Sequence, residues 1–292
     1  MLTRINRVAF QSQDILHAVK LFYTTDDVFS NDKNNRIREK FLASALDTNH
    51  PDPRFNTIKT KWQQFLSSLA EGTPEIRPTA GRRHNHDFAV CFPSNSFSVE
   101  FKHNAKSICE IPQFLSLPTK NANFLPVDYA SFYYDVYLHK YIEADYCLMN
   151  PPLPDKTTYL RIVFNCDYNA HPFFRLSKYR DNLNCNKLVK DKIVKASIKD
   201  YLNSFGASAN KEKLTNLFLN TQSGKVYALW DPATETFYKE VLTPTDLTIT
   251  TVGDIKNGNT LIAKSATKEF HMLLRWKNHS GVLYPALQIK MK

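Results

Sequence analysis

The stretch HDFAVCFPSNSFSVEFKHN, residues 86–104, reads as two short strands, 87–92 and 97–102, joined by Pro93-Ser94-Asn95-Ser96. With Phe92 opposite Phe97, Cys91 faces Ser98, Ala89 faces Glu100 and Asp87 faces Lys102. Successive side chains of a strand point to opposite faces. Phe88, Val90, Phe92, Phe97, Val99 and Phe101 then make one apolar face, and Asp87, Ala89, Ser98, Glu100 and Lys102 share the other. A charge set among apolar strand residues costs free energy unless it is paired or bound to a metal. Opposed side chains lie about 4.5–5.5 Å apart at Cβ and diagonal ones about 7–8 Å. Asp87 and Glu100 can therefore reach one ion between them, with Lys102 beside it. The plainer alternative is an exposed hairpin whose two acids pair with Lys102.

Two oxygen ligands suit a hard cation such as Mg²⁺, which prefers carboxylates, water and phosphate oxygens. Such an ion acidifies water and neutralises charge on a scissile phosphate. A lysine two residues after the second acid can orient that water or stabilise a pentavalent transition state.

The pattern Asp87…Glu100-Phe101-Lys102 resembles the PD-(D/E)xK nuclease superfamily, the fold of many restriction enzymes and DNA-repair nucleases. The resemblance covers about 18 residues and implies an α/β, restriction-endonuclease-like core with a mixed central sheet flanked by helices. It implies Asp87 as the first metal-binding acid, Glu100 as the second, Lys102 as the catalytic lysine and the Phe101 carbonyl as a further metal ligand. The implied cofactor is Mg²⁺, with Mn²⁺ as a substitute, and the implied substrate is double-stranded DNA. His86 stands where the family has proline, a small departure. Such nucleases often draw another acid from an upstream helix. Glu39 is carried as that catalytic acid, with Glu71 and Glu75 as rivals nearer the hairpin.

Around the hairpin, helices are expected over 5–23, 35–46 and 58–69, with Ile5, Val8, Ile15, Val19, Phe22, Ile37, Phe41, Leu42, Ala45, Trp62, Phe65, Leu66 and Leu69 on apolar faces. HPDPRF, 50–55, breaks the chain between the second and third. Downstream, 129–142 reads as an aromatic-rich helix and TYLRIVFN, 158–165, as an interior strand. An amphipathic helix follows over 186–205, and KLTNLFLN adds a further turn. Strands dominate from Val226. We therefore expect a nuclease core over 1–205 and a mostly β region over 206–292, either a subdomain or an extension used for target recognition. Only seven glycines are present, and no Gly-rich phosphate loop is among them, which disfavours an ATPase or a dinucleotide-binding enzyme. His84-Asn85-His86 imitates an HNH motif but lacks its spacing and reads as a polar loop.

The net charge of +10 is lopsided. Residues 1–146 carry 17 Lys+Arg against 16 Asp+Glu, and 147–292 carry 21 against 12. That asymmetry points to a polyanion held mainly by the second half. In helix 186–205, Leu188, Val189, Ile193, Ile198, Leu202 and Phe205 form the apolar stripe. Lys187, Lys190, Lys192, Lys195 and Lys199 fill the remainder, with Arg175, Lys178 and Arg180 just before. Lys190, Lys195 and Lys199 are candidate phosphate contacts. So are His103, Asn104 and Lys106 beside the hairpin, and Arg275 and Lys277 in a terminal hairpin that otherwise closes a core. A solvated helix face or loop is the alternative for each.

Five widely spaced cysteines without a CxxC pair argue against a disulfide framework and for a reducing, intracellular compartment, cytoplasmic or nuclear. No apolar run approaches the roughly 18–20 residues needed to span a bilayer, and no secretory signal is expected. The expectation is a Mg²⁺-dependent, site-specific DNA endonuclease with no membrane partner, a homodimer being left open. A non-catalytic DNA-binding protein with a degenerate nuclease fold and an RNA endonuclease remain as alternatives.

Overall fold

A computed structural model describes residues 12–25, 31–79, 86–116, 123–144, 152–175, 187–279 and 282–292. The chain divides into two compact units. One comprises 1–111 and 222–243, the other 112–221 and 244–292. The chain crosses between them three times, and none of the crossings coincides with the expected cut at 205.

Unit 1 holds helices α1 (Ser12–Tyr23), α2 (Asn31–Ser44) and α3 (Pro53–Ser67). Its strands are β1 (Glu75–Pro78), β2 (Phe88–Cys91) and β3 (Ser96–His103), with β5 (Lys225–Asp231) and β6 (Thr236–Val241) arriving from far downstream. They form a mixed sheet in the order β1-β2-β3-β5-β6, in which β3 and β5 run parallel and every other pair is antiparallel. The α/β class with a mixed sheet agrees with expectation.

The helices form where the sequence caps them and spaces their apolar residues. Asp52 caps α3 by accepting the Arg54 N–H at 2.8 Å, with Pro53 opening the helix. Phe55, Ile58, Trp62, Phe65 and Leu66 are then all buried at 3- and 4-residue spacing. Ile15, Val19 and Phe22 of α1 and Phe41 and Leu42 of α2 join them against Phe88, Val90, Val99, Phe101, Val226, Ala228 and Trp230 of the sheet. Ile5 and Val8 lie outside the described residues.

The end of α1 is fastened by other elements. The last carbonyls of a helix have no partner within it. Here Leu21 O accepts from Arg38 Nε at 3.1 Å and Nη2 at 2.7 Å. Phe22 O accepts from Trp230 Nε1 at 2.9 Å and lies 2.9 Å from His103 Nε2. One helix end thus ties α2, β3 and β5 together.

The hairpin corrects the expected register by two residues. Phe88 pairs with Val99, Val90 with Phe97 and Cys91 with Ser96. The turn starts one residue early, because the Phe92 N–H bonds Asn95 O at 2.7 Å. A two-residue slip keeps every side chain on its face, so the apolar face is as expected while the opposed pairs change.

Unit 2 carries a second, antiparallel sheet. Its strands are β4 (Gln113–Ser116), β7 (Thr251–Lys256), β8 (Thr260–Lys264), β9 (Glu269–His279) and β10 (Leu283–Met291), in the order β4-β10-β9-β8-β7. Met272, Leu274 and Trp276 are buried, so β9 closes a core. The aromatic helix forms over Tyr129–Ala144 with a π turn at Tyr134–Leu138. Residues 158–165 form no strand and belong to the helix Lys156–Asn165. Asp155 caps that helix through the Thr158 N–H at 3.0 Å, and Tyr159, Ile162 and Val163 make its buried stripe. The strand parallel to β3 is β5. DLTITTV, residues 246–252, is expected as a strand, but Asp246 and Leu247 close a short helix, Pro244–Leu247, and the strand begins at Thr251. In the helix Lys187–Phe205, Val194, Ile198, Tyr201 and Leu202 are buried, but Leu188 is 79% and Val189 49% exposed. The stripe therefore starts later than expected.

Arg38 is fully buried and also donates to Asn35 Oδ1 at 2.8 Å. Replacing it by leucine strands a buried carbonyl, so Arg38→Leu should lower unfolding stability by about 2–4 kcal/mol. Urea denaturation measures this, and a loss below about 0.5 kcal/mol would mean that α1 is held without it.

Candidate functional site

Asp87 precedes β2 by one residue. Its N–H donates to Val99 O at 3.0 Å, and its Oδ2 accepts the Phe101 N–H at 2.9 Å. The Asp87 carboxylate thereby occupies the edge of β3 that β2 leaves open. In an extended strand the N–H and C=O of one residue point to the same side, so the Phe101 carbonyl faces that edge too. Continuing the register one step past Phe88–Val99 sets Asp87 against Glu100, where the sequence reading had set it against Lys102.

Lys102 Nζ donates to Glu100 Oε1 at 2.6 Å. From β5, Lys225 Nζ lies 3.9 Å from the other oxygen, Oε2. The first contact is between i and i+2 on one face of β3; the second follows from the parallel pairing, which sets Ser98 beside Lys225 and Glu100 beside Tyr227. Tyr227 fixes its hydroxyl on Gln222 Oε1 at 2.8 Å.

The electrostatics report crowding. Burial first, then the charges of Glu100 and Glu39, push the Asp87 carboxyl up to about 7, against the pull of Lys102 and the Phe101 N–H. Burial draws the Lys102 ammonium downward, but Glu100, Asp87 and Glu39 outweigh it and hold the lysine above its ordinary value. Lys225 goes the other way: burial lowers it, with Glu100 opposing. Glu39 of α2 acts on both Asp87 and Lys102. The structure thus brings together Asp87, Glu100, Lys102, Phe101 and Glu39.

Among the described residues no group of three or more His, Cys, Asp and Glu side chains forms a ready metal cage. The donors present suit Mg²⁺, which binds through one or two carboxylates and retains several waters. A carboxyl pushed to about 7 by burial first and then by neighbouring acids is also one whose ionised form a cation would favour. The residues fit the ion.

The proposed nucleic-acid contacts are placed variously. His103 turns its ring to the end of α1, so it serves the core. Asn104 is exposed at φ 59°, ending β3, and Lys106 is exposed with Nζ 3.5 Å from Asp231 Oδ2. In unit 2, Lys195 and Lys199 are exposed. Lys190 is a correction: it is buried, with Nζ 5.8 Å from the centre of the Tyr141 ring, because the helix turns that position inward. Arg275 is exposed and donates to Gln288 Oε1 at 2.9 Å. The side chain of Lys277, and residues His84, Lys178 and Arg180, lie outside the described residues. Lys225 escaped the sequence reading, since it follows Glu100 by more than a hundred residues and no local motif marks it. Compared with protein-family models, curated proteins and solved structures, the chain matches none.

Unfolded, Asp87 has an ordinary carboxylate pKa near 3.9; folded without metal it titrates at about 7. Between those values the folded state holds the extra proton, so stability falls as pH rises through that window. The metal-free melting temperature should drop between about pH 5 and pH 7, and Asp87→Asn should remove most of the drop. An unchanged slope in Asp87→Asn would assign the effect to other groups.

Proposed function

We propose that the protein is a metal-dependent nuclease that hydrolyses phosphodiester bonds, with DNA as the substrate. The observation that carries this reading is the Asp87–Glu100 pair, drawn together at the open edge of β3 with Lys102 bonded to one of its oxygens. The PD-(D/E)xK pattern is supported by its place in a mixed sheet backed by α1–α3, with the acids and lysine on the face away from the aromatic core.

Asp87, Glu100 and the Phe101 carbonyl would hold Mg²⁺, which when bound supplies charge neutralisation and a more acidic water. Lys102 is placed to orient the attacking water and to stabilise the negative charge that builds on the phosphoryl oxygens. Glu100 and Asp87 do most to hold that lysine above its ordinary value, and Glu39 of α2 adds negative charge to theirs. In the reaction the water oxygen bonds to phosphorus, the bond to the leaving nucleotide oxygen breaks, and that oxygen ends with a proton.

Affinity for the polyanion is assigned to unit 2. It carries 21 Lys+Arg against 13 Asp+Glu, or +8, whereas unit 1 carries 17 against 15, or +2. No helix among the described residues is long and apolar enough to cross a membrane, so a bilayer-spanning helix there is no rival explanation for the basic charge.

Purified protein with supercoiled plasmid and Mg²⁺ should yield nicked or linear products, and chelation should stop the reaction. Asp87→Ala and Glu100→Ala should each abolish cleavage. Lys102→Ala should lose about 100-fold or more in rate while still binding DNA. Cleavage by Asp87→Ala at the wild-type rate would move the site elsewhere, and DNA binding without cleavage by the wild type would leave a binding protein.

Reversing Lys195 and Lys199 to Glu tests the basic helix. Each lost phosphate contact should flatten the slope of log affinity against log salt by roughly 0.9. A double variant with wild-type affinity and slope between about 50 and 200 mM salt would remove this helix from the DNA surface.

A further inference from the structure

Lys225 has no part in the reading above, yet it is the most enclosed charge beside the acids. Its side chain is 5% exposed, and its ammonium faces Glu100 Oε2 at 3.9 Å while Lys102 takes Oε1. It lies 6.0 Å from the centre of the Tyr227 ring, and the Tyr227 hydroxyl is itself fixed by Gln222. β5 is buried along its whole length, which keeps the lysine from turning out to solvent.

We propose that Lys225 stands where a second divalent cation would have to bind, so that the centre takes one metal ion per chain. This rests on the metal-dependent reading. Two-metal nucleases hold their ions about 3.5–4 Å apart. An ion bound about 2.1 Å from Glu100 Oε2 on the side that faces Lys225 would come within about 2 Å of the ammonium. Charge balance agrees. With Asp87 ionised, as a bound cation requires, the Asp87, Glu100 and Glu39 carboxylates against the Lys102 and Lys225 ammonium groups leave one negative charge in the group. One divalent ion and one phosphodiester bring it to zero, and a second ion would leave two positive charges where little water reaches.

Isothermal titration calorimetry with Mn²⁺ on the full chain tests this without using activity. Wild type should bind one ion per chain and Asp87→Asn none. Lys225→Met, which keeps volume and removes repulsion, should bind the ion at least about threefold more tightly. Exchanging a buried charge for an apolar group of similar size is often tolerated, and should Lys225→Met not fold, the wild-type stoichiometry decides alone. Two ions of similar affinity in the wild type would overturn the proposal and leave the nuclease reading standing, as would Lys225→Met binding no tighter than wild type. No binding at all would remove both.

Discussion

Asp87 and Glu100 repel each other, and the hairpin nevertheless holds their carboxylates at one strand edge. Backbone pairing of β2 with β3 fixes the distance, and the Phe101 N–H binds the Asp87 side chain where the next ladder partner would be. Burial, with the charges of Glu100 and Glu39 added to it, pushes the Asp87 carboxyl up to about 7. The core of unit 1 fixes the sheet that carries this pair. The aromatic layer of Phe22, Trp62, Phe88, Phe101 and Trp230 presses α1 and α3 on one face of the sheet. The tethered end of α1 fixes α2 through Arg38, and with it the helix that bears Glu39. Two acids held together are costly for the fold even with Lys102 and Lys225 beside Glu100, and that cost is the physical reason we propose a binding centre there.

Much of this was legible in residues 86–104 because strand periodicity is two and depends only on neighbours. The apolar face needs no knowledge of the rest of the chain, and a two-residue error in register leaves it unchanged. The register itself depended on where the turn closes, and the Phe92 N–H to Asn95 O bond moved it. Glu39 could be nominated from its helix, but only the packing of α2 brought its charge to Asp87 and Lys102.

Other parts were hidden for identifiable reasons. Residues 158–165 look like a strand because Tyr, Ile, Val and Phe cluster there. The capping aspartate at 155 and the spacing of Tyr159, Ile162 and Val163 were the signal for a helix, and local apolar content outweighed them. β5 is buried on both faces, so its sequence shows no alternation, and its place beside β3 depends on long-range pairing. Lys225 and Tyr227 reach the site only through that pairing. Lys190 was read as a phosphate contact by charge alone, although lysine can bury its stem and place its ammonium over an aromatic ring.

Unit 1 is nearly neutral and carries the acids, while unit 2 carries the excess of lysine and arginine. The proposed function stands on Asp87, Glu100 and the Phe101 carbonyl sharing a hard cation. Anomalous diffraction from crystals soaked in Mn²⁺ tests that most directly. The account predicts a single peak about 2.0–2.4 Å from a carboxylate oxygen of Asp87, one of Glu100 and the Phe101 carbonyl oxygen. A fully soaked crystal with no peak at these atoms, or with its only peak at another cluster, would contradict it.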